Sequence, residues 1–251
     1  MKAGRWVFEP HDFLRYLHTV ERVPRGQAHL PMRGAFTFGA QDWEYLRKKF
    51  RARRLRWNRW IAVGRAGRYR VFVLRSSIGA PAAVTALEEA IALGAHDFIS
   101  FGACGSLVDG LRIGSAVLPT HAFADEGTSK HYASNAWFRP SSTLVRSLRS
   151  SARRSELPLV DGGVWTTDAP YRESRERARS LARRGVVGVE MEASAMYAVA
   201  RHRGARIASL FVVSDELGGE EWNAGFRHPA FLRGKQRALR VVIDALRREL
   251  P

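Results

Sequence analysis

The chain has 251 residues, of which 45% are hydrophobic, and a formal net charge of +17. This composition suffices for one full core, and because no apolar run reaches about 18 residues, we expect no membrane-spanning helix. A single cysteine, Cys104, excludes an internal disulfide, a thiolate-rich metal site and an iron–sulfur cluster. It fits a reducing compartment, and since the N-terminus has no signal-peptide core, we expect a cytoplasmic protein.

The positive charge is carried by arginine, since only five of the 41 basic residues are lysines. A surplus of this size attracts anions such as nucleic acids, membrane surfaces or phosphorylated substrates. Most of the arginines alternate with acidic or apolar residues, as in residues 172–177, which is typical of a solvated helix face with near-neighbour ion pairs. We therefore do not expect nucleic acid or a membrane to be a partner.

The N-terminal part of the chain contains three prolines among short helical or irregular pieces. We predict that residues 1–34 form an arm ahead of a single domain of residues 35–251. A strand at Ala35–Phe38 is expected to open that domain, and a helix capped by Asp42 is expected to follow and to run to about residue 53.

Residues 51–60 mix arginine with tryptophan, a combination that can stack on bases and follow a nucleic-acid backbone. The alternative is that Leu55, Trp57 and Trp60 make core or oligomer contacts while the arginines point outward. We favour this alternative because no nucleic-acid-binding motif accompanies the run.

The rest of the chain alternates apolar strands with helices, which indicates an α/β protein. Strands are predicted at 69–74, 97–101, 113–119, 159–165, 186–189 and 206–213, helices at 82–93, 141–154, 193–203 and 231–250, and loops at 121–139 and 222–228.

The stretch from residue 185 to residue 217 is predicted to be a strand-helix-strand unit, and acidic residues follow both of its strands. In such units the carboxyl ends of the strands carry the site. Glu190 and Glu192, two residues apart, suit a pair of vicinal hydroxyls, because a carboxylate accepts hydrogen bonds from both. Asp215 would then be an acid or base. The alternative is that Glu192 is only a favourable charge in the first helical turn and Asp215 only a turn residue.

Four motifs occur in a fixed order along the chain: Ile78-Gly79-Ala80-Pro81, Gly102-Ala103-Cys104-Gly105, Val189-Glu190-Met191-Glu192-Ala193 and Val213-Ser214-Asp215. Together they resemble the signature of the nucleoside phosphorylase superfamily, which includes purine nucleoside phosphorylases, uridine phosphorylases and nucleosidases. The resemblance implies a single-domain three-layer sandwich with a mixed central sheet. It also implies a homo-oligomer, either a dimer or a hexamer, that uses phosphate as a co-substrate and needs no cofactor or metal.

The same resemblance implies roles for individual residues. Asp215 would protonate the leaving base, and Glu192, with Met191 beneath the sugar, would orient the ribose hydroxyls. Tyr171 or Trp165 would stack on the base, because Pro170 takes the position of the family's aromatic residue. The other implied substrate contacts are Glu190, Ser214, Cys104, Gly105 and Thr167.

The family's phosphate ligands are only partly present. The turn that resembles the family's GDPxR motif keeps Gly39 but has Trp43 in place of the arginine, and Ser100 replaces an arginine on the later strand. A buried phosphate needs charged donors. We expect it to be held by Gly39, Ser100 and an arginine that a neighbouring subunit lends, with Arg56 as our choice and Arg54 and Arg59 as open alternatives.

The resemblance thus implies an enzyme, a pentosyltransferase that cleaves the N-glycosidic bond of a purine or purine-like nucleoside to base and ribose 1-phosphate. Uridine phosphorylases carry an arginine near the position of Asp215, which favours a purine here. Two alternatives stay open. A nucleosidase that uses water is favoured by the missing phosphate ligands at Trp43, Ser100 and Ala103, and a catalytically silent nucleoside-binding protein would have lost the anion site.

Overall fold

Residues 6–249, which the computed structural model describes, form eleven strands in one mixed sheet and seven α-helices. The strands are β1 (Arg33–Thr37), β2 (Arg53–Arg54), β3 (Ile61–Ala66), β4 (Tyr69–Arg75), β5 (Asp97–Ser106), β6 (Ala116–Asp125), β7 (Trp137–Phe138), β8 (Leu159–Thr167), β9 (Val186–Glu190), β10 (Arg206–Glu216) and β11 (Asn223–Ala224). The helices are α1 (Pro10–Thr19), α2 (Ala40–Lys49), α3 (Ala80–Ala92), α4 (Ser142–Arg154), α5 (Arg175–Ala182), α6 (Ala193–His202) and α7 (Pro229–Leu246).

The sheet closes on itself around β5. The strand order is β11-β10-β6-β8-β9-β5-β1-β4-β3-β2, and β5 also pairs with β10, so that β5, β10, β6, β8 and β9 form a ring. β10 runs parallel to β5, whereas β9 runs antiparallel to it. The predicted strand-helix-strand unit therefore consists of two strands that run in opposite directions on either side of β5.

Two layers of helices cover the sheet. Helices α1, α3 and α6 pack on one face, and α2, α4 and α7 pack on the other. Successive side chains of a strand point to opposite faces, as in β4, where Phe72 belongs to the first core and Val73 to the second. The predicted single-domain three-layer α/β sandwich with a mixed central sheet is thus confirmed.

The segment that precedes β1 contributes to the core. Helix α1 packs against α3, and Leu17, Val23 and Leu30 are buried. The division of the chain at residue 34 stays a prediction. Residues 1–5 of the predicted arm and residues 250–251, which include the expected end of the last helix, lie outside the described residues.

One predicted loop is wrong over part of its length. Residues 121–139 were expected to be a loop, but β6 continues through Asp125 because the irregularity between Pro119 and His121 restores its pairing with β8. β7 then pairs with β6 inside the same segment. The longer strand brings Glu126, just beyond its end, to the site described below. Within residues 6–249, no helix combines the length and the apolar character that a membrane crossing requires.

Candidate active site

The acidic residues of the predicted motifs meet at the end of β5. Gly105 of β5 is in register with Val189 of β9 on one side and with Asp215 of β10 on the other. A Cβ atom at residue 105 would lie 3.3 Å from Oδ2 of Asp215 and would overlap the side chain of Leu217. Glycine is therefore required here for β10 and its acid to approach β5.

Glu190 is buried and holds the start of α6. Its Oε2 accepts hydrogen bonds from the backbone N–H groups of Glu192 at 2.8 Å and Ala193 at 2.7 Å, and its Oε1 accepts one from the hydroxyl of Thr166. A carboxylate at a helix N-terminus satisfies amide groups that have no partner within the helix. Both oxygens are thus engaged within the protein, and the substrate contact expected of Glu190 stays a prediction.

Glu192, the N-cap residue of α6, faces the turn that precedes α3. Its Oε1 accepts a hydrogen bond from the backbone N–H of Gly79 at 2.6 Å, which ties together two of the four motifs. Burial raises the pKa of the Glu192 carboxyl group, and the nearby Glu190 raises that pKa further, against the effect of backbone hydrogen bonds from Gly79 and Met191. The side chain of Glu192 therefore favours partners that donate hydrogen bonds to its ionised form.

Two residues that were not singled out from the sequence, Thr166 and Glu126, bond to the start of α6 beside this pair of acids. The hydroxyl of Thr166, which donates to Glu190, also accepts a hydrogen bond from the N–H of Ser194 at 2.9 Å. Glu126 accepts hydrogen bonds from the hydroxyl of Ser194 at 3.0 Å and from the N–H of Thr128 at 2.6 Å. An acid directly after a strand is the pattern that indicated Glu190 and Asp215. The same pattern fits Glu126, but the end of β6 was predicted several residues too early, so Glu126 was assigned to a loop.

Asp215 is oriented through both of its oxygens. Oδ1 accepts a hydrogen bond from the hydroxyl of Ser214 at 2.7 Å, and Oδ2 accepts one from the indole N–H of Trp222 at 2.9 Å. Trp222 lies in the loop after β10, and this residue is 62% exposed. No sequence motif marked Trp222.

A cavity of about 170 Å³ lies beside Trp222, the residue that donates to Asp215, and is also lined by Leu107, Glu173 and Leu217, among others. Burial, and to a smaller extent the charge of Asp215, raise the pKa of the Glu173 carboxyl group to about 7. This residue was also missed by the sequence analysis, because it follows an irregular turn and belongs to no motif.

The two aromatic residues expected to stack on a base differ in exposure. Tyr171 is 99% exposed. Trp165 is buried and donates its indole hydrogen to Asp125 at 3.1 Å, so neither ring face is open to a ligand. Thr167, another expected contact, accepts a hydrogen bond from the N–H of Ala169 at 3.2 Å and thereby shapes the turn.

Cys104 has no features of a reactive thiol. Its side chain is buried, and burial together with the negative charges of Glu190 and Asp215 raises the pKa of the thiol far above its ordinary value. Cys104 therefore stays protonated at neutral pH and contributes packing between β5 and its neighbours, while its carbonyl oxygen lies 3.3 Å from the hydroxyl of Ser214.

The residues expected to bind phosphate are separated in this subunit. Gly39 is the N-cap residue of α2, and the carboxylate of Asp42 in the first turn of this helix lies close to it, since a Cβ atom at residue 39 would be 2.7 Å from Oδ2 of Asp42. The hydroxyl of Ser100 is buried and donates to that of Ser209 at 2.6 Å. Trp43, at the position of the missing arginine, is buried with its indole N–H bonded to Val73 O at 3.2 Å. Arg56 is exposed and lines a surface groove.

One arginine that the sequence analysis overlooked lies beside the Gly39 turn. Arg75 ends β4 in register with Thr37, and its Nε donates to the carbonyl oxygen of Phe38 at 3.3 Å. Its guanidinium carbon lies 4.3 Å from the ring centre of Trp60, a cation–π distance that holds the group at the end of the sheet. The sequence could have indicated Arg75, because this arginine ends an apolar strand and precedes the Gly79 turn.

Comparisons with known proteins agree with the four motifs. Residues 44–247 match the family model described as "Phosphorylase superfamily". A guanosine phosphorylase of Halorubrum lacusprofundi is 29% identical over 179 residues, which cover 69% of this chain and 74% of the relative. A DeoD-type purine nucleoside phosphorylase of Brevibacillus brevis is 28% identical over 70% of this chain and 75% of its own length, and one of Myxococcus xanthus is 32% identical over 59% and 63%, respectively.

Proposed function

The chain belongs to the phosphorylase superfamily, and from this premise we propose that it is a pentosyltransferase that cleaves purine nucleosides with phosphate to give the base and ribose 1-phosphate. The observation that carries the proposal is the convergence of the Glu190–Glu192 turn and Asp215 on either side of Gly105. Each acid is held by donors from a different element, which is the preorganisation that a catalytic acid requires.

In the proposed reaction, an oxygen of phosphate forms a bond to C1′ of the ribose while the bond between C1′ and the base breaks. The electron pair of that bond passes to the base, and Asp215 supplies a proton to a ring nitrogen so that a neutral base leaves. Ser214 and Trp222, which hold the two oxygens of Asp215, keep the carboxyl group directed at the base.

Glu192 has the complementary role at the sugar. As the bond to the base lengthens, the ribosyl group gains positive charge, and a carboxylate hydrogen-bonded to its 2′ and 3′ hydroxyls stabilises that charge. Hydroxyl donors also favour the ionised form of Glu192, which burial alone disfavours. Contacts from Met191, Ser214, Cys104, Gly105, Thr167 and Tyr171 to the substrate belong to the same proposal.

Phosphate is proposed to bind at the Gly39 turn, where the guanidinium of Arg75 lies beside the start of α2 and offers a bidentate donor to an anion. Within residues 6–249 the Nε atom of Arg75 has a hydrogen-bond partner, and its two Nη atoms have none. Ser100 and Arg56 remain proposed phosphate ligands, with Arg56 reaching the site of a neighbouring subunit in a homo-oligomer.

Hydrolysis is the second candidate, because Trp43 and Ser100, which occupy the positions of phosphate-binding arginines, are bonded within the protein. The test incubates purine nucleosides with the protein in the presence and absence of phosphate and identifies the sugar product. Phosphorolysis predicts ribose 1-phosphate and no turnover without phosphate, whereas release of free ribose at an unchanged rate would establish a nucleosidase. An Asp215→Asn variant purified in parallel controls for contaminating activity.

A further inference from the structure

Arg75 is the outer member of a stack of side chains that begins in the core. Its guanidinium carbon lies 4.3 Å from the ring centre of Trp60, and the ring of Trp60 meets that of Trp43 edge to face, with centres 6.2 Å apart and planes at 80°. Trp60 is 39% exposed, whereas Trp43 is buried and donates its indole hydrogen to the carbonyl oxygen of Val73 at 3.2 Å. The stack therefore runs from the core to the surface and ends at a guanidinium group.

The backbone holds Trp60 and Arg75 opposite each other. Trp60 directly precedes β3 and Arg75 ends β4, two antiparallel strands in which Ile61 is in register with Leu74. The backbone N–H of Arg75 donates to the carbonyl oxygen of Trp60 at 3.0 Å, which extends this pairing by one residue. Side chains of opposite residues in an antiparallel pair lie close together. The pairing of the two strands therefore fixes the contact between the indole ring and the guanidinium group.

The guanidinium group of Arg75 lies beside the Gly39 turn with its charge unused. Its Nε donates to the carbonyl oxygen of Phe38 at 3.3 Å, and in the part of the chain that the structure describes Arg75 makes no ion pair and its two Nη atoms have no hydrogen-bond partner. The acid at this turn, Asp42, is already paired, since Nζ of Lys235 lies 2.9 Å from its Oδ1. Arg75 thus keeps its charge and four N–H donors for a ligand.

On these grounds, and resting on the proposed function, we infer that Trp60 is a positioning residue for phosphate: it holds the guanidinium group of Arg75 in place before the anion arrives, and Trp43 supports Trp60 from the core side. A side chain that is already ordered loses less conformational entropy when the ligand binds. Trp43 occupies the position of the missing phosphate-binding arginine. The side chain at that position thus supports a different arginine at the same turn.

The first test measures steady-state phosphorolysis of a purine nucleoside in the wild type, Trp60→Leu and Trp60→Phe. Trp60→Leu removes the aromatic face, and the KM for phosphate is expected to rise about 3- to 10-fold, within the range for a partly exposed cation–π contact. The value of kcat and the KM for the nucleoside should stay unchanged, because Trp60 contacts neither the nucleoside nor a reacting atom. Trp60→Phe keeps an aromatic face and should retain most of the affinity; a loss equal to that of Trp60→Leu would contradict the role of that face.

A matched control is available at another tryptophan that contacts an arginine. Trp137 lies on β7, and the guanidinium carbon of Arg184 is 4.7 Å from its ring centre. Trp137→Leu therefore removes the same kind of contact from a different part of the protein. It should leave the KM for phosphate unchanged, and a rise equal to that of Trp60→Leu would overturn the inference.

A double variant tests whether Trp60 acts through Arg75. In Arg75→Gln there is no guanidinium group to position, so adding Trp60→Leu should raise the KM for phosphate no further. If Trp60→Leu has the same effect in both backgrounds, Trp60 acts by another route and the inference is overturned. A merely structural role would give that result, together with a higher KM for the nucleoside.

Phosphate binding can also be followed without turnover, which separates this inference from the proposed function. Phosphate that binds the folded protein raises its melting temperature at constant ionic strength. This rise should be smaller in Trp60→Leu, lost in Arg75→Gln and unchanged in Trp137→Leu. If the protein shows these differences but releases free ribose, phosphorolysis fails and the inference stands. If ribose 1-phosphate forms and Trp60→Leu keeps the wild-type KM for phosphate, the inference fails and phosphorolysis stands. A wild type that neither needs phosphate for turnover nor responds to it on melting would overturn both.

Discussion

Replacing Glu192 by glutamine should move activity and stability in opposite directions. Glutamine has the same size and its amide oxygen can still accept the hydrogen bond from the N–H of Gly79, which in the wild type measures 2.6 Å. The substitution therefore removes the negative charge that is proposed to bind the ribose hydroxyls and leaves the hydrogen bond between α6 and the Gly79 turn in place. We expect kcat/KM to fall by about 10²- to 10³-fold, the usual effect of removing one positioned electrostatic group, or roughly 2.7–4 kcal/mol.

The gain in stability follows from the raised pKa of Glu192. In the unfolded chain this carboxyl group ionises at its ordinary pKa, whereas burial and Glu190 raise that pKa in the folded protein. Between the two pKa values the folded protein binds more protons than the unfolded chain, so the free energy of unfolding of the wild type decreases as the pH rises. Glu192→Gln removes this penalty, and a gain of about 1 kcal/mol would raise the melting temperature by roughly 2–4 °C in a chain of this size.

Glu190→Gln provides the contrasting variant. Glu190 accepts hydrogen bonds at both oxygens, and an amide in its place would direct an N–H group at another donor. This change should lower the free energy of unfolding by about 1–3 kcal/mol. The assay combines thermal unfolding at several pH values between 6 and 9 with steady-state phosphorolysis. Full activity in Glu192→Gln, or a loss of stability equal to that of Glu190→Gln, would refute this account of the two acids.

The remaining predictions concern the proton donor, the anion, the assembly and the surface charge. Asp215→Asn should reduce turnover by about 10²-fold or more while the fold, measured by circular dichroism, is kept; undiminished turnover would remove Asp215 from the mechanism. Arg75→Gln should raise the KM for phosphate by roughly 10- to 100-fold with little change in the KM for the nucleoside, and Arg240→Gln, an exposed change on α7, is its control. Sedimentation should detect a homo-oligomer at micromolar concentration, and a 28.2 kDa monomer alone would contradict the proposal that Arg56 reaches a neighbouring subunit. A generic oligonucleotide should bind only weakly at about 150 mM salt, and sub-micromolar affinity there would revive a nucleic-acid role for residues 51–60.

Local patterns in the sequence predicted most of the helices and strands and indicated the candidate acids. Strand and helix periodicity depends on neighbouring residues, so the strand at residues 186–189, the helix after it and the strand at residues 206–213 were placed within a few residues of β9, α6 and β10. The motif residues Glu192 and Asp215 could be named because their positions at strand ends are local properties as well. Their resemblance to one superfamily then supplied the fold, which the structure bears out.

How these elements meet depends on pairing between distant parts of the chain. The direction of β9 relative to β10 depends on the pairing of both strands with β5, which joins residues about a hundred positions apart, and no local pattern encodes it. The same holds for Arg75, Glu173 and Trp222. Each belongs to no motif, and each reaches the site only because a distant segment folds beside it: Phe38 beside Arg75, and Asp215 beside Glu173 and Trp222. Burial and neighbouring charge, the two causes of the raised pKa values at this site, are likewise set by residues that are distant in sequence, so they exist only once the chain has folded.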